Sequence, residues 1–176
     1  MRASRLIIGL AALSATAALA QSQSAGTSAL KGHDSNAPVD VSADRIEVQD
    51  RSDRAIFAGN VHVKQNELSL DTQRLTVAYS NNGGVQIQRL DAAGGVIVTS
   101  PSEKAKGNFG IYDLDRKLIT LIGDVQLNRG ANQIFGQRLT IDLASGRAVV
   151  DGGPAGVNQS GGRVTGHFTV PKRNGN

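Results

Sequence analysis

The sequence predicts an all-β domain of antiparallel strands, and three observations predict it. Apolar and polar residues alternate with period two through most of residues 38–170, and no window carries a comparable 3.6-residue stripe. Turn-forming clusters recur along the chain, at Asn81-Asn82-Gly83-Gly84, Gly94-Gly95, Ser145-Gly146, Gly152-Gly153-Pro154 and Gly161-Gly162. One phrase is written twice: 59–78 and 123–142 align 64 positions apart without a gap, sharing a glycine, a valine and the block Gln-Arg-Leu-Thr (Gln73 to Thr76, Gln137 to Thr140).

From the N-terminus, Arg2 and Arg5 precede a short apolar run, Leu6 to Leu19, that ends at Ala18-Leu19-Ala20. A basic start, an apolar middle and small residues at the cleavage positions are the layout of a secretory signal peptide, residues 1–20, cut after about Ala20. The run is shorter than the ~20 residues that span hydrocarbon. Removing it leaves 156 residues, one domain by length, and lowers the formal charge from +4 to +2. Residues 21–37 are rich in Ser, Gly and Ala and read as a flexible leader, so order is expected from Pro38. The domain then spans 38–170, and 171–176 reads as a solvated tail. The chain has no cysteine, so an exported protein of this kind must rely on core burial and backbone pairing.

Within the domain, alternation assigns one apolar face. Val39, Val41, Ile46 and Val48 open it, and Val61, Val63, Leu68, Leu70, Leu75 and Val77 continue it. Val96, Val98, Tyr112 and Leu114 follow, then Val125, Leu127, Ile134, Leu139 and Ile141. Gly59 and Gly123 each follow an apolar run and precede an alternating one, which places them at a turn or bulge where the chain changes direction. A fainter third copy begins at Gly95. A unit of strand, glycine corner and strand cannot bury its own apolar face; it needs neighbours stacked on it. Gln73, Arg74, Gln137 and Arg138 are read as marking strand entry on the polar side.

No catalytic constellation assembles. His33, His62 and His167 are far apart in sequence, and His62 stands in an outward phase between two valines. Zinc-type ligand spacing, a GxSxG elbow and a P-loop are all absent, and the glycine pairs do not open a helix. Asp44 with Glu47, or Asp113 with Asp115, could be posed as paired carboxylates, but Asp113 and Asp115 flank Leu114 before Arg116-Lys117 as in a hairpin tip. Basic residues are scattered singly and aromatics are few, which excludes a nucleic-acid surface. Neither enzyme activity nor a metal or cofactor is expected. The interior remains: four Phe, two Tyr and no Trp leave it almost wholly aliphatic. Such a face suits either a closed β-sandwich core or an open groove for acyl chains, whose burial is worth ~0.8 kcal/mol per methylene. Periodicity does not separate the two.

At Pro38 to Asp44, Ala58-Gly59-Asn60-Val61, Tyr112-Asp113-Leu114, Ile122-Gly123-Asp124-Val125 and Ile134 to Leu139, the chain resembles the LptA/OstA family of periplasmic lipopolysaccharide-transport proteins. The resemblance runs over residues 38–150 and fades in the glycine-rich stretch beyond. It implies an antiparallel β-jellyroll, V-shaped in section, with lipid A acyl chains inside and sugars outside. The lipid-contacting residues it implies are Val39, Val41, Ile46, Val61, Val63, Leu70, Val77, Val98, Tyr112, Leu114, Val125, Leu127 and Ile141. It also implies head-to-tail stacking of copies and docking to an inner-membrane LptC-like and an outer-membrane LptD-like partner by strand addition. The edges concerned are Val39, Val41, Ile46 and Val48 at one end, and Val164, Phe168 and Val170 at the other. The expected function is thus periplasmic carriage of lipopolysaccharide. The alternatives are a structural or adhesive β-module with a closed core and, third, a polysaccharide-acting enzyme.

Overall fold

The computed structural model describes Leu30 and residues 33–81, 83–153 and 162–170. The predicted signal peptide, the leader before Leu30, the glycine-rich stretch 154–161 and the tail 171–176 lie outside the described residues. Ten strands follow the period-two pattern: β1 Asp40–Ser42, β2 Arg45–Gln49, β3 Arg54–Gln65, β4 Leu68–Ser80, β5 Gln86–Thr99, β6 Glu103–Asp113, β7 Leu118–Arg129, β8 Asn132–Asp142, β9 Arg147–Asp151 and β10 Thr165–His167. A 3-10 turn, Asp50–Ser52, joins β2 to β3. No helix among the described residues is long and apolar enough to cross a membrane.

All ten strands belong to one antiparallel sheet in the order β1-β3-β4-β5-β6-β7-β8-β10. At one end β2 takes the first half of β3 while β1 takes the second; at the other, β9 and β10 divide β8 in the same way. Among the described residues the sheet is open, since β1 and β2 pair only with β3, and β9 and β10 only with β8.

The division runs through every strand between. Pairing breaks for two residues at Ala58/Val61, Asp71/Arg74, Ala93/Val96, Lys106/Phe109 and Ile122/Val125. Because these breaks are opposite one another, they form one continuous crease and fold the sheet into two arms. Gly59, Gly94 and Gly123 lie on it with φ of 80°, 89° and 81°, the left-handed region that glycine enters without Cβ strain. They are bulges inside β3, β5 and β7 rather than turns between strands, and Gly94, not Gly95, is the true third copy. Gln73 and Gln137 likewise lie at the crease in mid-strand, not at strand entry. A Cβ on Gly94 would lie 2.9 Å from Gln73 Cβ, and one on Gly123 would lie 2.8 Å from Asn108 Nδ2. Outside the crease, Asn60 Nδ2 donates to Asp44 Oδ2 at 2.9 Å and Asn108 Nδ2 to Asp124 Oδ2 at 3.1 Å. Inside, the Thr72 hydroxyl donates to the Ala93 carbonyl at 2.8 Å, satisfying an acceptor beside the Gly94-Gly95 bulge.

Register places the apolar residues in straight rows. One arm carries Ile46, Phe57, Leu75, Ala92, Gly110, Leu121, Leu139 and Val150 opposite one another, and a second row of Val48, Ala55, Val77, Leu90, Tyr112, Ile119, Ile141 and Ala148. The other arm carries Val41, Val63, Leu70, Val98, Ala105, Leu127 and Ile134. The rows face each other, and Leu75, Leu121 and Leu139 at the centre are fully buried. The expected hairpin tip at Asp113 is present: Asp113 Oδ1 accepts the Arg116 amide at 2.9 Å.

Two further expectations require correction. Order begins before Pro38: Leu30 is 4% exposed and Ser35 7%. A Ser/Gly/Ala-rich composition supplied no period from which to see a single buried leucine. Ile46 and Val48, expected inside, have the inward phase but are 55% and 60% exposed, because β2 is an edge with no strand beyond it among the described residues.

The crease predicts an ordering of stabilities. Gly83 has a φ of 86° with open space where a Cβ would go, so Gly83→Ala is expected to cost about 1–2 kcal/mol. Gly94→Ala and Gly123→Ala are expected to cost about 1–3 kcal/mol more through overpacking. Urea midpoints at constant slope measure this; equal loss at all three positions would show that the crease is not tightly packed.

Candidate lipid-binding groove

The space between the arms is the candidate site. Near β3 to β7 it is almost filled by side chains, leaving a cavity of about 20 Å³ bounded by Val63, Leu70 and Val98 from one arm and Leu90, Tyr112, Ile119 and Leu121 from the other. Toward β8 to β10 it opens into about 350 Å³ lined by Leu127, Arg129, Asn132, Ile134, Ala148, Val150, Val164 and Phe168. That volume is within the ~300–1,000 Å³ range of ligand pockets.

Of the residues expected to line the groove, Val61, Val63, Val77, Val98, Tyr112, Val125, Leu127 and Ile141 are buried in it. Val39, Val41, Leu70 and Leu114 are half-buried against the same cluster, and Ile46 stands uncovered at its end. Leu90, Ala92, Ala105, Ile119 and Leu121 join the lining without having been singled out. Their alternation with polar neighbours was legible in the sequence. Gly107 and Gly110, also buried, were not legible in this way; a Cβ on Gly110 would come within 3.0 Å of Val96 Cγ1, so small size there lets the arms close.

Polar groups mark the open side of the V. Gln65, at the end of β3, is 3% exposed and uses all of its amide. Its Oε1 accepts the Tyr112 hydroxyl from the other arm at 3.1 Å and bonds His33 Nε2 at 3.0 Å; its Nε2 donates to the Ser35 and Ala37 carbonyls at 3.1 and 2.9 Å. With the amide so oriented, His33 must carry its proton on Nε2. Gln65 was missed, although a polar residue in the inward phase after Val63 was the available signal. Glu103 is similar: 6% exposed, it accepts Arg129 Nε at 2.6 Å. Burial pushes the Tyr112 phenol above its ordinary 10.0; a hydrogen bond with the Ser35 side chain opposes the rise and the Asp34 carboxylate adds to it. His62 faces solvent as expected and bonds Asp71 Oδ1 through Nδ1 at 2.7 Å. Among the described residues no cluster of His, Asp or Glu could hold a metal ion.

At the ends, Val39 and Val41 lie on or beside β1, and Ile46 and Val48 on β2, each with one free edge. The far edge is shorter than expected: only Thr165–His167 pairs with β8, while Val164, Phe168 and Val170 flank it, 43%, 62% and 85% exposed.

An open antiparallel sheet, creased into two arms around an aliphatic lining, defines the class of fold: an open β-jellyroll. Residues 40–147 match the family model described as LptA/(LptD N-terminal domain) LPS transport protein. The chain is also 33% identical over 148 residues to an uncharacterized protein of Rhizobium meliloti strain 1021, covering 80% of this chain and 79% of that one. Its fold is similar to the crystal structure of LptH, described as the LptA homologous periplasmic component of the lipopolysaccharide transport device of Pseudomonas aeruginosa. That likeness has a TM-score of 0.68 at 19% identity, over 78% of this chain and 99% of LptH. The protein belongs to the LptA/LptD N-terminal domain family of lipopolysaccharide transport proteins, which are bridges rather than enzymes.

Burial separates the lining residues energetically. Leu139→Ala is expected to cost about 2–5 kcal/mol, whereas Val48→Ala, at the uncovered edge, should fall within about ±0.5 kcal/mol. Denaturant unfolding decides, and a comparable loss at Val48 would mean that the edge is covered in solution. Tyr112 supplies a pH dependence. Its raised folded value means that its contribution is fully present below 10.0 and is lost as pH rises from there through the folded value. The alkaline fall in stability should be smaller in Tyr112→Phe, and an unchanged profile would remove Tyr112 as its source.

Proposed function

We propose that the protein carries lipopolysaccharide across the periplasm, with lipid A acyl chains held between the two arms and the sugars outside. The observation that carries this reading is the aliphatic lining, which runs in register from β3 to β8 and widens to about 350 Å³ at the β8 end. Within a family of lipopolysaccharide transport proteins, an acyl chain is the cargo such a lining fits. Val39, Val41, Ile46, Val61, Val63, Leu70, Val77, Val98, Tyr112, Leu114, Val125, Leu127 and Ile141 are the proposed contacts.

Stacking follows from the edges. β2 carries Ile46 and Val48 uncovered, and the β10 region carries Val164, Phe168 and Val170 uncovered, beside backbone groups with no strand partner among the described residues. Such edges ordinarily invite aggregation; here they are proposed to pair head to tail with another copy. The β1–β2 end would meet an inner-membrane LptC-like protein and the β10 end an outer-membrane LptD-like protein. Periplasmic residence belongs to the same proposal.

A photo-crosslinker at Val41, Val63 or Tyr112 is expected to capture lipopolysaccharide, and one at His62, Lys64 or Thr140 is not; equal capture at both sets would sink the groove. Proline or charge introduced between Val164 and Val170 is expected to weaken self-association and leave the fold intact. The tight packing between β3 and β7 favours one competitor, a structural or adhesive module with a closed core. Mass spectrometry of the purified protein separates them, lipid A accompanying only the carrier.

A further inference from the structure

The segment before β1 lies along the open side of the V. Leu30 shares a cavity of only about 10 Å³ with Val98, Ala105 and Leu127 of one arm and Ile141 of the other, so it is wedged between the arms. Three residues on, His33 reaches Gln65, which also holds the Ser35 and Ala37 carbonyls and the Tyr112 hydroxyl. Gln65 belongs to one arm and Tyr112 to the other, so the seam is tied across and the segment is bound to the tie.

The geometry points to a displaceable strap: Leu30 and residues 33–37 occupy the seam of the unloaded protein and leave it when an acyl chain enters. Two observations carry this. Leu30 fills with its own side chain a place walled by Val98, Ala105, Leu127 and Ile141 with Ser100 and Glu103 at its side, the place an acyl chain would take. Gln65 holds the segment through one amide, which bonds His33 Nε2 and the Ser35 and Ala37 carbonyls, so changing that one side chain removes three bonds at once. A segment held by side-chain bonds and one leucine can exchange with cargo, whereas a strand of the sheet cannot. The inference rests on the proposed groove for its cargo, but the strap itself is testable without that cargo.

The experiment uses the full mature chain. Having no cysteine, it accepts Asn36→Cys, at an exposed strap position, with a nitroxide label. Two release variants are made, Leu30→Asp and Gln65→Met, with folding checked by circular dichroism. Binding of the apolar dye N-phenyl-1-naphthylamine and of purified lipopolysaccharide is measured for each. A binding-competent form populated in one molecule in ten weakens apparent affinity about tenfold, so the variants are expected to bind dye about tenfold more tightly than the parent. The nitroxide is expected to become mobile as dye or lipopolysaccharide saturates the parent. Unchanged dye affinity in a folded variant overturns the strap, whatever lipopolysaccharide does. A nitroxide that stays immobile at saturation overturns it too, even if neither variant folds. Tighter dye binding by variants that take up no lipopolysaccharide upholds the strap and overturns the lipopolysaccharide cargo.

Discussion

The crease is the constraint on which the rest depends. A long antiparallel meander twists but does not by itself present two halves of one face to each other. Here five strand pairs lose register for two residues at the same level, so the break runs through every strand from β3 to β8. Glycines at positive φ supply the bend in β3, β5 and β7, and the polar side chains of Asp44, Gln73 and Asn108 press against them in turn. Asp44 bonded to Asn60 and Asn108 bonded to Asp124 are the same tie with donor and acceptor exchanged. Repeated sequence therefore becomes a repeated bend, and the bend makes one apolar face into two facing walls.

Those walls balance packing against capacity. In the middle, leucines from opposite arms meet and leave little empty volume; toward β8 the arms separate. The seam is the soft side. It is tied by Gln65 and Tyr112 rather than by a ladder of backbone bonds, and a side-chain tie opens without dismantling the sheet.

The ends obey a different rule. Closing a barrel would remove free edges; this sheet keeps two pairs of them, each made of short strands that share one long neighbour. Short edge strands limit uncontrolled pairing, and exposed Ile46, Val48 and Phe168 give the ends an apolar character that a solitary molecule leaves uncovered.

Much of this was written in local order. Alternation through Val61 and Val63, Leu75 and Val77, or Leu139 and Ile141 determined strand class and inward phase, because side-chain direction along a strand has period two regardless of partner. The twin phrase at Gly59 and Gly123 marked the bends, and the quoted motifs carried the family. Other features depended on which residues the fold brings opposite. Whether an inward residue is covered depends on what lies across from it, so Ile46 and Leu75, alike in phase, differ as edge and centre. Gly94 could be taken for a turn until register put it in line with Gly59. Leu30, alone in a polar stretch, had no periodic neighbours to reveal its place; only the meeting of Val98, Ala105, Leu127 and Ile141, far apart in the chain, made a site for it. Local sequence determined which way each side chain points, and tertiary structure decided what it meets there.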